Sequence, residues 1–184
     1  MGDLPVSIRQ ACAQDLDTIA DVHARSRAAY HGGFVPEEEL TDPARADHHR
    51  IAFGRYLASA DHTVLCASHG DLLAGFAVIG PCIIPDPDAQ ITTELHSIYV
   101  DPSWFRERIG TKLHDACLQA WQGRQASAAR LWVMDYNRRA RAFYTSQGWE
   151  PDGHHHPDNS TLLGYRLAIP RARSVPEQPA GESQ

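Results

Sequence analysis

Cysteine is scarce in this sequence, and no cysteine is placed to act with another. Cys12, Cys66, Cys82 and Cys117 are scattered, with no CxxC pair and no metal-ligand spacing, which excludes a disulfide scaffold and a zinc ribbon. Cys66, Cys82 and Cys117 sit in apolar surroundings and are expected as buried free thiols. Long apolar runs are also missing: none approaches the roughly 20 residues that cross a bilayer. The opening MGDLPVSIRQ has no basic segment followed by an apolar one, so the expected location is the cytoplasm. Positive charge is in deficit, with 17 Lys and Arg against 23 Asp and Glu and a net charge of -6. A general binder of nucleic acid or anionic membrane would need a basic surface, so neither partner is expected.

What is present fits one soluble globular domain. The 184 residues are 42% hydrophobic and 22% charged, enough for one core and too few for two ordinary domains. One domain is expected over residues 1–170. Residues 171–184 are polar and proline-rich and are expected to be a disordered tail.

The apolar pattern changes period along the chain. VSIRQA alternates as a half-buried strand does. DLDTIADVHARSRAAY has helical spacing with Asp15 as its N-cap, and HGGF interrupts it. PEEELTDPARADHHRIAFGRYLASA gives one or two helices, started by Pro36 and restarted by Pro43. HTVLCAS and LLAGFAVIG are strands joined by the turn HGD, PCIIPDPDAQ is loop, and ITTELHSIYV is a further strand. DPSWFRERIG is a turn, TKLHDACLQAWQG a helix stopped by Gly123, and ARLWVMD a buried strand. NRRARAFYTSQG is a short helix capped by Asn137 and stopped by Gly148; WEPDG and STLLGYRLAI close as two strands. The order predicts a mixed α/β sheet whose most βαβ-like unit runs from Ile91 to Asp135.

The junction WFRERIGTKLHDA, Trp104 to Ala116, carries the clearest chemical signal. A helix that starts soon after a strand presents free amides and a positive dipole end, where anions sit. Gly110 lets backbone approach the anion, Thr111 adds a hydroxyl, and Arg106 and Arg108 add charge. The competing reading is a surface turn with solvated arginines.

Three segments, in order, resemble the GCN5-related N-acetyltransferase (GNAT) superfamily over about Val6 to Ile169. They are the opening strand with its helix pair, ELHSIYVDPSWFRERIGTKLHDACL, and LWVMDYNRRARAFYTSQGWEPDG with its Asn137, Ala140, Phe143, Tyr144 pattern. The resemblance implies a GNAT fold: a central six- to seven-stranded mixed sheet, splayed between strands 4 and 5 and flanked by about four helices. One departure stands out. The usual phosphate loop is Gln/Arg-x-x-Gly-x-Gly/Ala, whereas this chain has Phe105 at the first position and Arg108 at the first glycine, and only Gly110 is kept.

The same resemblance implies an N-acetyltransferase that moves an acetyl or other acyl group from acetyl-CoA to a primary amine of a small molecule or amino-bearing natural product, by direct attack in a ternary complex. The pantetheine arm would bond to the strand at Ile98, Tyr99 and Val100. The pyrophosphate would rest on Phe105, Arg106, Arg108, Ile109, Gly110 and Thr111. Glu94 is the candidate base; His96, two residues on, is an alternative base or a packed histidine. Tyr144 is the candidate acid toward the departing thiolate and also lies with the donor, or it is a core tyrosine. Asn137 would contact pantetheine, though an N-cap already has a structural use. Arg138, Arg139 and Arg141 would meet the nucleotide 3′-phosphate or form a solvated basic face, Arg141 being the preferred one. The altered loop leaves room for another acyl-thioester donor, a carrier-protein phosphopantetheine. A third reading is a GNAT-shaped binding module without turnover. Relatives are commonly homodimers, but nothing in this sequence requires one.

Two further stretches bear on the acceptor. GHHHP is read as an exposed hairpin loop and not a metal site, since adjacent histidines on an extended chain face opposite ways. The helical region from Tyr30 to Tyr56, with Glu37 to Glu39, His48 and His49, is expected to wall the acceptor cleft, its carboxylates attracting a cationic amine.

Overall fold

The computed structural model describes residues 5–171; the expected tail therefore lies almost wholly outside the described residues. Seven strands form one sheet in the order β1-β2-β3-β4-β5-β7-β6: β1 (Val6–Gln10), β2 (Thr63–His69), β3 (Leu72–Pro81), β4 (Ile91–Val100), β5 (Ala128–Met134), β6 (Glu150–His156) and β7 (Asn159–Ala168). Only β4 and β5 run parallel; every other neighbouring pair is antiparallel. Four longer helices, α1 (Leu16–His31), α3 (Pro43–Ala58), α4 (Ile109–Gly123) and α5 (Arg138–Ser146), accompany a single-turn α2 (Glu37–Leu40). Among the described residues no helix is long and apolar enough to cross a membrane.

The central strand β3 is apolar at nearly every position because helices cover both faces of the sheet. Ala77 and Ile79 pack toward α4, with Leu95 and Leu131. Phe76 and Val78 pack the other way, against Ile19 and Val22 of α1 and Phe53 of α3. On α4, Ile109, Leu113, Cys117 and Trp121 recur every four residues and are all buried, so one stripe of the helix meets the sheet. Trp121 donates from Nε1 to Thr93 Oγ1 at 2.9 Å, and Thr93 donates on to the Gly80 carbonyl at 2.9 Å. Gly75 lets the start of α4 press close: a Cβ there would lie 2.7 Å from the Tyr99 carbonyl oxygen and 3.3 Å from Leu113.

Local details differ from the sequence reading for identifiable reasons. Helix α4 begins at Ile109, two residues before the expected Thr111, so Gly110 lies inside its first turn. Gly123 is its last residue; the left-handed position beyond it belongs to Gln125, with φ 57°. Asp15 caps a preceding 3-10 turn, accepting from the Cys12 amide at 2.8 Å and pairing with Arg9 at 2.7 Å. Cys66 and Cys117 are buried as expected, whereas Cys82 is only half-buried and Cys12 is exposed. The histidines of GHHHP belong to strand β6 rather than a loop. Among the described residues no group of His, Cys, Asp or Glu could hold a metal ion.

Candidate active site

A β-bulge creates the site. Val78 on β3 faces Ser97 and the next residue, Ile79, faces Leu95, so His96 is the extra residue on β4. The bulge reverses the alternation of side chains. Leu95 before it and Ile98 and Val100 after it pack toward α4, while Tyr99 packs toward α1. Pairing of β4 with β5 stops at the same place, at Leu95 opposite Leu131. Beyond it the two strands diverge and leave a cleft of about 390 Å³.

One wall of the cleft is the freed half of β4. The Asp101 amide donates to the Ala74 carbonyl at 2.9 Å, which makes Asp101 and Tyr99 ladder-bonded positions. By antiparallel alternation the backbone groups of Ile98 and Val100 then turn toward the open side. The Val100 carbonyl already accepts from Ser26 Oγ at 3.0 Å; the two amides stay available. Trp132, Val133 and Met134 of β5 form the opposite wall, and Asn137, Arg139, Ala140 and Tyr144 of the β5–α5 segment continue it.

The end of the cleft is the loop before α4. Asp101 pins it, accepting from the Ser103 amide at 2.9 Å and from Arg25 Nε at 2.7 Å. Arg106 and Arg108 both have positive φ, 74° and 57°. Arg108 thus adopts the left-handed backbone that glycine takes up without strain, so the departure from glycine at this position is compatible with the turn into α4. A residue with a Cβ gives up about 1 kcal/mol to do so. Arg108→Gly is therefore expected to be about 1 kcal/mol more stable than Arg108→Ala in chemical denaturation, the reverse of the usual order in helices. Equal stability, or a more stable alanine variant, would contradict this account. Arg108 is the N-cap of α4 but provides no side-chain cap. Among the described residues, the amides of Ile109, Gly110 and Thr111 have no acceptor, and all three residues line the cleft. Unsatisfied first-turn amides at a positive helix end are an anion seat.

The expected catalytic residues divide into two groups. His96 and Tyr144 line the cleft; Glu94 does not. The His96 side chain is 3% exposed, and neither ring nitrogen has a hydrogen-bond partner. Its Nδ1 lies 3.4 Å from Glu94 Oε1, within ion-pair range but off the hydrogen-bond direction. The ring is held flat against Tyr56 of α3, with centroids 5.4 Å apart and planes 14° apart. Glu94 is engaged elsewhere, accepting from Arg130 Nε at 3.1 Å. Burial pushes the Glu94 carboxyl up, but His96 and Arg130 outweigh it and hold the group below its ordinary value. A carboxylate so stabilised is a poorer proton acceptor and a better orienter of a neighbouring imidazole. Burial raises the Tyr144 phenol far above its usual value, so it stays protonated. Asn137 both lines the cleft and caps α5, accepting from the Ala140 amide at 3.0 Å. Arg141 is drawn away from the cleft: Nε donates to Tyr165 Oη at 3.3 Å and Nη1 to the Asp135 carbonyl at 2.9 Å.

The acetyltransferase (GNAT) family model matches residues 19–149. The chain belongs to the GNAT family. An uncharacterized N-acetyltransferase of Archaeoglobus fulgidus is 30% identical over 144 residues, 77% of this chain and 91% of that protein. The PaiA N-acetyltransferase of Thermoplasma acidophilum, solved in complex with coenzyme A, superposes with TM-score 0.77 at 20% identity, covering 89% of this chain and 99% of its own. The ribosomal-protein-S18-alanine N-acetyltransferase of Escherichia coli gives TM-score 0.62 at 18% identity, covering 92% and 97%. As a GNAT protein the chain is an acyltransferase, and acetyl-CoA is the donor that the family uses.

One feature of this GNAT site escaped sequence reasoning. Arg130, 2% exposed, joins Glu94 to Asp86 at 3.1 Å and to the Ile84 carbonyl. A lone arginine inside the apolar strand ARLWVMD was the available signal, because a buried charge requires partners. Of the region from Tyr30 to Tyr56 expected to wall the cleft, Tyr30 does line it and stacks on Phe105. Glu37 to Glu39, expected to wall the acceptor cleft, do not line it; they occupy α2, where Glu39 pairs with Arg45 at 2.9 Å.

Proposed function

We propose that this GNAT protein transfers an acetyl group from acetyl-CoA to the primary amine of a small molecule, by direct attack with both substrates bound, and that residues 1–170 form its one acyltransferase domain. The observation that carries the reading is the meeting, in one cleft, of a buried imidazole without partners, free strand amides and an uncapped helix end. Bound acetyl-CoA supplies the activated thioester. The first-turn amides of Ile109 to Thr111, with Arg106 and Arg108, hold its pyrophosphate, and so large a set of anion donors supports CoA over a carrier-bound pantetheine, which has a single phosphate. The Ile98 and Val100 backbones hold and orient the pantetheine arm.

His96, and not Glu94, takes the proton from the attacking amine at a ring nitrogen; Glu94 and Arg130 position the ring. A strand amide at the bulge donates to the thioester oxygen as it gains charge. The Tyr144 hydroxyl donates to the departing sulfur.

The residues lining the cleft include no aspartate or glutamate; their charged members are Arg106, Arg108 and Arg139. With the arginines engaged by the donor's phosphates, the lining has no carboxylate to receive a second cation and suits a monoamine with an apolar or aromatic body against Trp132 and Leu162. With acetyl-CoA and a panel of amines, release of the CoA thiol is expected for aromatic monoamines at a kcat/KM about tenfold or more above that for spermidine. Preference for the polyamine would overturn the acceptor assignment, and no transfer to any primary amine would overturn the activity.

A further inference from the structure

Helix α5 presents three arginines with different surroundings. Arg141 is tied to Tyr165 and the Asp135 carbonyl, and Arg138 does not line the cleft. Arg139 does line it. Its guanidinium carbon lies 3.8 Å from the centroid of the Phe105 ring and 5.6 Å from that of Tyr30. Tyr30 and Phe105 are themselves stacked, with centroids 5.4 Å apart. Among the described residues no carboxylate lies within ion-pair distance of Arg139, and no protein acceptor receives its N–H groups.

A guanidinium laid on an aromatic face is fixed in orientation while its N–H fork stays free at the edge. Arg139 itself is exposed, so what sets it apart is its stacking on Phe105 and its place on the cleft. Phe105 is also three residues before Arg108 and four before the first turn of α4. The stacked cation therefore lies against the loop that leads into the anion seat, and is carried by another helix.

We infer that Arg139 grips the donor's pyrophosphate from the α5 side, and that Phe105 is the ring that positions it. The charge absent from position 105 of the loop is supplied across the cleft, and Phe105 has become its support. This rests on the donor reading above. Arg can bond a phosphate through two parallel N–H groups, and a charged hydrogen bond of this kind corresponds to about 10- to 100-fold in affinity.

Calorimetric titrations of the full chain separate the possibilities, using CoA, dephospho-CoA (no 3′-phosphate) and pantetheine (no phosphate). Arg139→Met is expected to weaken CoA and dephospho-CoA alike by about 10-fold or more while leaving pantetheine within about twofold. Phe105→Leu is expected to reproduce part of that loss, and Phe105→Tyr to restore wild-type affinity. Loss for all three ligands, or for none, would overturn the inference, as would loss for CoA alone, which would place Arg139 on the 3′-phosphate. If the wild-type protein binds none of the phosphate-bearing ligands, the donor reading itself has failed, a result read before any variant is made. Thermal melts of each variant without ligand distinguish lost affinity from lost folding.

Discussion

Replacing Arg130 by methionine is expected to lower the melting temperature by about 6 to 20 °C. The side chain is 3% exposed and sits between two carboxylates that are nearly as buried, Asp86 at 6% and Glu94 at 5%. A buried pair contributes little relative to a well-packed apolar replacement of the whole set, but removing one partner leaves uncompensated charge in a low dielectric, which costs about 3 to 5 kcal/mol. Here two carboxylates and the Ile84 carbonyl lose their common donor, so the β3–β4 loop loses its anchor to β5 at the same time.

The pH dependence of this penalty has a definite sign. The Glu94 carboxyl is held below its ordinary value of 4.5 in the folded protein. Its pairing therefore contributes stability that is present above that value and is lost as pH falls through the lower folded one. In the variant the burial that raises the carboxyl is opposed by His96 alone, so Glu94 takes up its proton at higher pH. The gap in stability between wild type and variant should be widest near neutrality and narrow as pH falls toward 4. Differential scanning calorimetry across that range checks both statements. A variant melting within 1 °C of wild type at pH 7 would mean that the network is solvated and that Arg130 does not position Glu94.

The elements that carry this network were legible from local pattern, while the network was not. The stripe on α4, the Asn137 cap and the apolar run of β5 are each written within a dozen residues, where spacing and capping chemistry act. The partners of Arg130 lie 36 and 44 residues away along the chain, and only the parallel pairing of β4 with β5 brings them together. The bulge at His96 is equally silent in sequence: one extra residue in a ladder leaves the hydrophobic pattern of ITTELHSIYV almost unchanged while reversing which side each later residue faces. Alternation places Glu94, the candidate base, and His96, the alternative base or packed histidine, on one face. Their separation into a buried ion-pair member and a cleft-facing imidazole follows from tertiary contacts. Arg108 is the opposite case. The sequence showed the departure from glycine, but only the backbone angle shows that the arginine takes up a left-handed conformation of the kind that favours glycine.

Replacing His96 by leucine is expected to divide stability from activity. Both ring nitrogens are buried without hydrogen-bond partners, a condition that costs a folded protein about 1 to 3 kcal/mol. Leucine fills a similar volume between Tyr56 and the sheet and has no polar atom to leave unsatisfied. Relief of those nitrogens opposes the loss of the imidazole beside the buried Glu94 carboxylate, so the variant should melt within about 6 °C of wild type. If the imidazole were a packing element, the same variant would also keep its turnover. As the base, its loss should lower kcat by about 100- to 10,000-fold, because a positioned acid or base contributes that much to proton transfer. CoA affinity should be unchanged, since His96 lies at the bulge and not at the phosphate end. Glu94→Gln leaves the imidazole in place without its charged neighbour, so its effect on kcat should be smaller than that of His96→Leu, with a shift of the pH–rate profile instead. The combined outcome of a folded protein of similar stability, intact donor binding and lost turnover is one that a structural histidine cannot produce. A kcat within threefold of wild type in His96→Leu would move the base elsewhere in the cleft.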